Sequence, residues 1–288
     1  MPDNLPASPA PILALSDHGL IALDGPDAAA FAQAQFANDV IALGDGHWQW
    51  NAWLTPKGRV IAVFALLRLA ADRILLLVPD AAPHELASEL QRYVFRRKLK
   101  IVARDDLRVG GAFTKAESAE NARIGLRGEV IELDYGDDRA GRTLVIAPSP
   151  VPVADEDFER RWFAADLHAG LPRLPAAQRE QWTPQQLSLE RLQAFSVKKG
   201  CYPGQEIVAR THFLGKTKRG IVLFEAGATV ETGMDVSDGE RAIGSIISVA
   251  DGETPLALAI LPLDRQPASL LAGGVALHEI ALIGGLQR

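Results

Sequence analysis

One cysteine is the most reactive side chain in the sequence, and its neighbours are of kinds that assist thiol chemistry. The chain has 288 residues and a single cysteine, Cys201. Lys198 and Lys199 precede it, and nearby cations stabilise the thiolate, the form of cysteine that acts as a nucleophile or metal ligand. Gly200 and Gly204 carry no side chain, so a second molecule can approach the backbone closely on both sides. We interpret Cys201 as a reactive sulfur and Lys199 as the cation that keeps it ionised.

A lone cysteine also limits the chemistry. It excludes an internal disulfide, which fits a reducing compartment, and it excludes a cysteine-rich zinc site. An iron–sulfur cluster needs about four protein ligands, commonly thiolates, so a cluster held by Cys201 would be shared with a second protein. No nucleophile signature surrounds Cys201, and His212 is a weak candidate base, so a catalytic triad is not supported. The alternative is a buried cysteine that packs as a small apolar residue.

Composition and charge narrow the class of protein. Hydrophobic residues make up 48% and charged residues 23% of the chain, which is typical of a folded globular protein. The formal net charge is −6, and an acidic chain is not expected to bind nucleic acid in bulk through its phosphates. Two local basic stretches, Arg92–Lys100 and Lys216–Arg219, fit either solvated surfaces or docking of a polyanionic ligand tail or an acidic partner.

The chain has no predicted membrane segment. No window reaches eighteen apolar residues, and Met1–Asn4 lacks the basic and apolar stretches of a secretory signal. We therefore expect a cytoplasmic protein that does not bind membranes. The first ten residues contain three prolines and are expected to be poorly ordered.

Hydrophobic patterning predicts the elements that position the cysteine. Trp48–Leu54 and Val60–Leu69 predict a hairpin around Thr55–Gly58, and Arg73–Val78 predicts a third strand. A helix is expected to begin at Pro83.

Three more helices are predicted from periodicity and start signals. The first begins at Gly25-Pro26-Asp27 and ends near Asn38, the second covers Asp155–Leu167, and the third begins at Thr183 and ends near Phe195.

The last part of the chain differs from the rest. Short apolar stretches alternate with glycine-rich turns and show almost no helical period, which is typical of a small antiparallel barrel or sandwich. We place a module boundary near Gly215–Gly220. The predicted strands are Gly220–Glu225, Glu240–Val249, Leu256–Leu261 and Val275–Leu282.

The cysteine segment also carries a family resemblance. Lys199–Glu206 reads Lys-Gly-Cys-Tyr-Pro-Gly-Gln-Glu and resembles the K-G-C-Y-x-G-Q-E signature of the YgfZ family, folate-binding proteins of iron–sulfur maturation. Ile207–Arg210 and Gly215–Arg219 resemble the same family. Further segments, in the same order along the chain, resemble this family and the related glycine-cleavage T-protein, an aminomethyltransferase: Leu23–Ala28, Asn38–Val40, Leu54–Val60, Gly170–Pro172 and Pro184–Leu187.

The resemblance implies an α+β fold, a three-module cloverleaf like that of the T-protein. We expect a discontinuous central folate-binding-like module formed by residues 1–46 and 110–215. Residues 47–109 would form a ferredoxin-like module, and residues 216–288 would form a C-terminal antiparallel β-barrel.

The resemblance also implies a site. Tetrahydrofolate or a derivative would bind in a central cavity, with the expected contact residues Asn38, Asn51, Trp53, His168 and Tyr202. Relatives often carry a glutamate at the position of His168, and a histidine offers only one acceptor to a pterin ring. Glu206 and Arg210 would hold the cysteine loop by hydrogen bonds or pairing. The remaining loop residues are expected to be Gly200, Tyr202, Gly204 and Gln205.

The implied function is accessory work in iron–sulfur cluster assembly or repair rather than conventional catalysis. Cys201 would supply one ligand to a transient cluster bridged with an A-type carrier or a client cluster enzyme, or would attack a persulfide or damaged cluster. One alternative is a folate-dependent one-carbon transferase, but Val60–Val63 holds no carboxylate where the aminomethyltransferase has its catalytic aspartate. A second alternative is a non-catalytic scaffold with a structural cysteine.

Overall fold

The computed structural model describes residues 11–80, 82–215 and 217–288. The predicted disorder of the first ten residues, and the basic side chain of Lys216, lie outside this range. The helices are α1 (Ala28–Gln35), α2 (Pro83–Gln91), α3 (Glu156–His168) and α4 (Gln205–Leu214). The strands are β1 (Leu13–Ala14), β2 (His18–Asp24), β3 (His47–Leu54), β4 (Val60–Ala70), β5 (Arg73–Pro79), β6 (Lys100–Ala103), β7 (Arg108–Ala112), β8 (Gly125–Arg127), β9 (Val130–Asp134), β10 (Thr143–Ala147), β11 (Arg219–Ala226), β12 (Asp235–Ser237), β13 (Ala242–Ala250), β14 (Leu256–Pro262), β15 (Leu270–Ala272) and β16 (Val275–Ile280).

The predicted hairpin lies in a five-stranded antiparallel sheet with the order β3-β4-β5-β2-β6. Residues 60–67 are all apolar and buried, as expected for an interior strand covered on both faces. Phe31 of α1 and Leu86 of α2 pack on one face of the sheet, against Phe64 and Leu76. The ferredoxin-like layer therefore combines strands with two helices.

The boundary expected at residue 47 does not match this sheet. Strand β2, which we placed in the central module, pairs with β5 on one side and β6 on the other, and α1 covers the same sheet. The boundary was misplaced because β2 comes early in the chain but lies in the sheet between two strands that come later.

A second antiparallel sheet, in the order β1-β7-β10-β9-β8, forms the central layer. Helix α3 begins at Asp155, whose side chain accepts a hydrogen bond from the Phe158 amide at 2.7 Å, a strong helix-start signal. Trp162 of α3 lies against Gly111 of β7, where a Cβ atom would come within 2.6 Å of the indole ring. The glycine lets the helix pack close to the sheet.

The last six strands close into an antiparallel barrel with the order β11-β14-β13-β12-β15-β16, which confirms the predicted barrel. Its interior includes Val222, Phe224, Val236 and Ile246. The barrel packs on α3 through β13 and β14. None of the helices in the described parts of the chain is long and apolar enough to cross a membrane.

The segment before the cysteine differs from its prediction. A helix from Thr183 to Phe195 was expected, but the chain forms turns and one short 3-10 helix, Leu189–Leu192. Ser188 and Gln193 flank it with φ of 49° and 55°, a left-handed conformation that interrupts a right-handed helix. The largest continuous core spans all three sheets and includes Trp50, Trp162, Leu223 and Ile247, so the three modules share one interior.

Candidate functional site

Cys201 is exposed, although the residues beside it are anchored in the protein. Lys199 and Tyr202 are only 5% and 6% exposed, respectively, while Gly200 lies at the surface with open space around its Cα. The chain therefore presents the thiol at the outer side of a short loop that is fixed at both ends. This geometry contradicts the alternative in which the cysteine packs in the core.

Lys199 was predicted to keep Cys201 ionised, but its ammonium group binds main-chain oxygens instead. Its Nζ donates three hydrogen bonds to main-chain oxygens at the end of α1, to Gln33 at 2.6 Å, Phe36 at 2.6 Å and Asn38 at 3.0 Å. An ammonium group has three donors, so all of them are used, and none is directed at the thiol. Burial lowers the pKa of Lys199 to about 8, while the Asp39 charge opposes this shift. Lys199 positions the loop and does not pair with Cys201.

Tyr202 and Gln205 complete the anchoring. The Tyr202 hydroxyl donates to the Ser196 carbonyl at 3.3 Å, and the Lys199 ammonium lies 4.9 Å from the centre of the Tyr202 ring. Burial raises the pKa of Tyr202 to about 12. Gln205 Nε2 donates to the Lys199 carbonyl at 3.3 Å, which ties the start of α4 to the loop.

Two of the segments that resemble the family touch each other here. Gly204 has φ of +80°, and a Cβ atom on it would lie 2.7 Å from both the Thr55 carbonyl oxygen and the Gly58 Cα. Gly58 has φ of +70°, and a Cβ atom there would lie 2.8 Å from Ile207 Cβ. The β3–β4 turn therefore packs directly on the start of α4, and only glycine fits at these two positions.

Helix α4 itself was not predicted. Glu206 and Arg210 were expected to hold the loop, but both are exposed and neither side chain makes a hydrogen bond or salt bridge within the described residues. Ile207 and Phe213 are 38% and 67% exposed. The outer face of α4 is thus a mixed charged and apolar surface beside the thiol.

A cleft of about 550 Å³ opens next to this loop. It lies where the 3-10 segment, β3 and the region after α1 meet, and Lys198 of the cysteine loop lines it. Its volume is in the range of small-molecule sites. Aromatic, amide and charged side chains contribute to the rest of its lining, among them Asn38, Trp48, Gln49, Glu190, Phe195, His212 and Arg288.

The cleft wall combines flat apolar surfaces with polar groups. Phe195 provides aromatic surface, whereas Trp48 is fully buried behind the Arg288 guanidinium, which lies 5.5 Å from the centre of its ring. Gln49 is 7% exposed, and its Nε2 has no hydrogen-bond partner within the described chain. Glu190 is open to solvent on its outer side, and the surrounding protein desolvates its carboxyl group enough to raise the pKa. A ligand with donors and acceptors around a planar ring would satisfy these groups.

Of the five residues expected at a folate site, only Asn38 lines the cleft. Trp53 lies in the core under α1 and α2 and contacts Tyr93 edge to face. Asn51 is fully buried, and its Oδ1 accepts the Asn38 and Ala52 amides. Tyr202 is occupied by the loop contacts described above.

His168 also lies elsewhere. It ends α3, its carbonyl accepts the Ile283 amide at 2.8 Å, and burial lowers the pKa of its ring. The sequence prediction did not include Gln49 and Glu190, which line this cleft. Gln49 had a usable signal, because it is a polar residue between two tryptophans in an apolar strand. Glu190 had none, because its segment was expected to be a helix.

The structure also shows where the segment without a transferase-like carboxylate lies. Val60–Val63 lies at the start of β4 and is buried, directly after the turn that packs on Gly204. Strand β4 carries no carboxylate side chain.

Comparison with known proteins extends over most of the chain. No protein-family model matches it. A protein from Aliivibrio fischeri strain MJ11 named tRNA-modifying protein YgfZ is 30% identical over 274 residues, which cover 87% of this chain and 84% of that protein. An uncharacterized Haemophilus influenzae protein is 30% identical over 250 residues, which cover 83% of this chain and 84% of that one. The crystal structure of glycine cleavage system aminomethyltransferase T from Bartonella henselae superposes with a TM-score of 0.69 at 15% identity, covering 95% of this chain and 85% of that one. The last similarity establishes the shared fold.

Proposed function

The chain belongs to the YgfZ family, and we propose that it is an accessory protein of iron–sulfur cluster assembly or repair that acts through the Cys201 thiol. The observation that supports this most is an exposed thiol on a loop held by the buried side chains of Lys199 and Tyr202. A reducing compartment such as the cytoplasm would keep this thiol free.

In this proposal a cluster on a carrier protein is the substrate. The Cys201 thiol loses its proton to solvent, and its sulfur displaces one ligand of an iron atom while ligands from the carrier hold the other positions. Alternatively, the thiolate attacks the outer sulfur of a persulfide and releases the carrier thiolate. Open space at Gly200 and the exposed face of α4 favour the approach of an A-type carrier or a client enzyme.

We further propose that the cleft beside the loop takes a reduced folate. Gln49 and Glu190 would hold polar positions of the pterin ring, and Phe195 would flank one of its flat faces. The unpartnered Gln49 amide supports this fit. A bound tetrahydrofolate would supply a planar donor–acceptor group, and a derivative substituted at N5 or N10 would also carry a one-carbon unit.

Mixing the protein with a cluster-loaded A-type carrier tests the cluster role. Visible absorption and electron spin resonance should give a signal that differs from the sum of the separate proteins and that disappears in Cys201→Ser. The variant should unfold at the same temperature as the wild type, since the thiol is exposed. A signal unchanged by Cys201→Ser, with full rescue of cluster-enzyme activities in a deletion strain, would favour the scaffold alternative.

A second candidate role follows from the names of the relatives. Because curated relatives are named tRNA-modifying proteins, we propose that this chain also serves tRNA modification, either by supplying a cluster to a modifying enzyme or by contacting the RNA. Loss of a modified nucleoside in a deletion strain, measured by mass spectrometry of total tRNA, tests this role. Tetrahydrofolate-dependent methylene transfer by the purified chain would instead support the one-carbon transferase.

A further inference from the structure

The connection between α2 and β6 carries a concentration of positive charge that the proposed cluster chemistry does not use. Residues 92–100, here called the basic–aromatic segment, hold five cations and no acid, in a chain whose net charge is −6. None of the salt bridges between described residues includes any of these cations. The segment therefore offers charge for another molecule to neutralise.

Two aromatic rings are exposed within the same segment. Phe95 is 77% exposed and Tyr93 is 48% exposed. The Arg96 guanidinium lies 5.0 Å from the centre of the Phe95 ring, and Tyr93 is supported edge-on by the buried Trp53 with ring centres 5.9 Å apart. Exposed rings among arginines are the arrangement on which unpaired nucleobases stack while the cations bind phosphates.

The segment is held in place and does not behave as a free tail. Val94 is buried and Leu99 packs against the core under α1 and α2. The Lys98 amide donates to Asp27 Oδ2 at 2.6 Å. A fixed surface loses less conformational entropy when a ligand binds.

This surface is connected to the cysteine loop through buried contacts. Trp53, which supports Tyr93, forms a β-bridge with Phe36, and the Phe36 carbonyl accepts a hydrogen bond from Lys199. A molecule bound at the basic–aromatic segment would thus lie on the same module as the end of α1 that anchors the loop.

We propose that the basic–aromatic segment binds an unpaired loop of RNA, with Phe95 and Tyr93 stacking on bases and the arginines contacting phosphates. The choice of RNA rests on the proposed role in tRNA modification, whereas the choice of an unpaired strand rests on the exposed rings. An acidic peptide would satisfy the cations but would leave both rings in water.

Fluorescence anisotropy with a labelled RNA hairpin tests this inference on the full chain. Phe95→Ala should weaken binding by about fivefold to a hundredfold, because removing the ring removes the stacking of one base. Arg96→Gln should reduce the slope of log affinity against log salt by about 0.7 for each phosphate that the guanidinium neutralises. Matched controls are Leu126→Ala and Arg241→Gln, which change an exposed apolar residue and an exposed cation on other modules and should leave affinity unchanged.

Several outcomes would overturn the inference. They are wild-type affinity in Phe95→Ala, equal binding of a blunt RNA duplex, equal binding of a DNA hairpin of the same sequence, or binding of polyglutamate in place of RNA. The two proposals fail separately. RNA binding by the purified chain, with every modified nucleoside retained in a deletion strain, counts against the tRNA-modification role alone, and loss of a modified nucleoside without RNA binding counts against RNA docking alone.

Discussion

The Lys199 ammonium lies where the carbonyl groups at the end of α1 would otherwise lack donors. Three main-chain oxygens accept from it, two of them in buried contacts, and charged hydrogen bonds are stronger than neutral ones. We expect Lys199→Met to lower the free energy of unfolding by about 2–4 kcal/mol, because it leaves these oxygens unsatisfied. Urea denaturation measures this change.

The neighbouring lysine provides the control. Lys198 is exposed, so Lys198→Met should change stability by less than about 0.5 kcal/mol. If Lys199→Met and Lys198→Met had equal effects, the helix-end role of Lys199 would be wrong. The Lys199 variant should also change the rate at which a soluble disulfide reagent modifies Cys201, since the loop loses its anchor.

The raised pKa of Glu190 leads to a prediction about how ligand binding depends on pH. Partial desolvation raises the pKa of its carboxyl group, so this group takes up a proton at a higher pH than an ordinary glutamate. A carboxylate that accepts from a pterin must be ionised. Tetrahydrofolate affinity should therefore fall as the pH drops through this raised pKa.

Isothermal titration at several pH values measures this dependence. Glu190→Gln should bind more weakly, by about tenfold for one missing charged hydrogen bond, and should show a flatter pH profile. His168→Gln is the control, because His168 lies outside the cleft lining. A profile that Glu190→Gln leaves unchanged would remove Glu190 from the proposed site.

At the scale of elements, the contact between the β3–β4 turn and the start of α4 determines where the thiol is held. Gly204 combines a positive φ with backbone atoms 2.7 Å from a built Cβ. We expect Gly204→Ala to destabilise the protein by more than about 2 kcal/mol, because backbone atoms cannot rotate away as a side chain can. Thermal unfolding measures this effect.

Gly128→Ala separates the cost of a positive φ from the cost of a close backbone contact. Gly128 has φ of +62° but no atom within 4 Å of a built Cβ, so its substitution carries only the conformational cost of about 1 kcal/mol. Gly200→Ala should be tolerated in stability, since nothing lies within 4 Å there. Equal losses in Gly204→Ala and Gly128→Ala would contradict a close approach between turn and helix.

At the scale of the whole molecule, Arg173 joins the three modules. Its fully buried guanidinium donates to Asp17, Asp80 and Asp166, which lie before β2, after β5 and in α3. Its carbonyl accepts from Ser248 in the barrel. We expect Arg173→Met to cost about 3–5 kcal/mol, because the mostly buried Asp80 loses its cation and the fully buried Asp166 keeps only Arg142.

The same network predicts an acid sensitivity. Burial opposes ionisation of Asp17, but hydrogen bonds from His18 and Arg173 and their charges hold the pKa of its carboxyl well below the ordinary value. A depressed folded-state pKa gives stability that is present above the unfolded-state value of about 4 and is lost as the pH falls below it. Wild-type stability should therefore fall more steeply below pH 4 than that of Arg173→Met, as measured by urea unfolding.

Arg241→Met is the matched control for both measurements. Arg241 is an exposed arginine of the barrel, so its loss should leave stability and the acid slope near the wild-type values. If Arg173→Met unfolded with the same midpoint as this control, the guanidinium would not link the modules.

Local sequence was sufficient for the features that depend on neighbouring residues. The hairpin around Thr55–Gly58 follows from turn chemistry between apolar runs, and the C-terminal barrel follows from short apolar strands with glycine turns. The signature around Cys201 identified the family, because an ordered set of short motifs is read without knowledge of the fold.

Features that depend on contacts between distant residues could not be read in this way. The sheet position of β2 is fixed by pairing with β5 and β6, which lie far later in the chain. Helix α4 begins because Gly204 turns left-handed against Gly58, and no start signal marks it.

The sequence by itself determined that this protein has one sulfur for its chemistry, which family carries that motif, and that a barrel ends the chain. The tertiary structure decided which side chains surround that sulfur and the cleft. Lys199 is directed to carbonyl groups 161 to 166 positions away in the chain, and Glu190 and Gln49 line the same cleft only after the 3-10 segment and β3 come together. The physical reason is that hydrogen bonds and burial act through space, whereas a sequence pattern reports only the order of residues along the backbone.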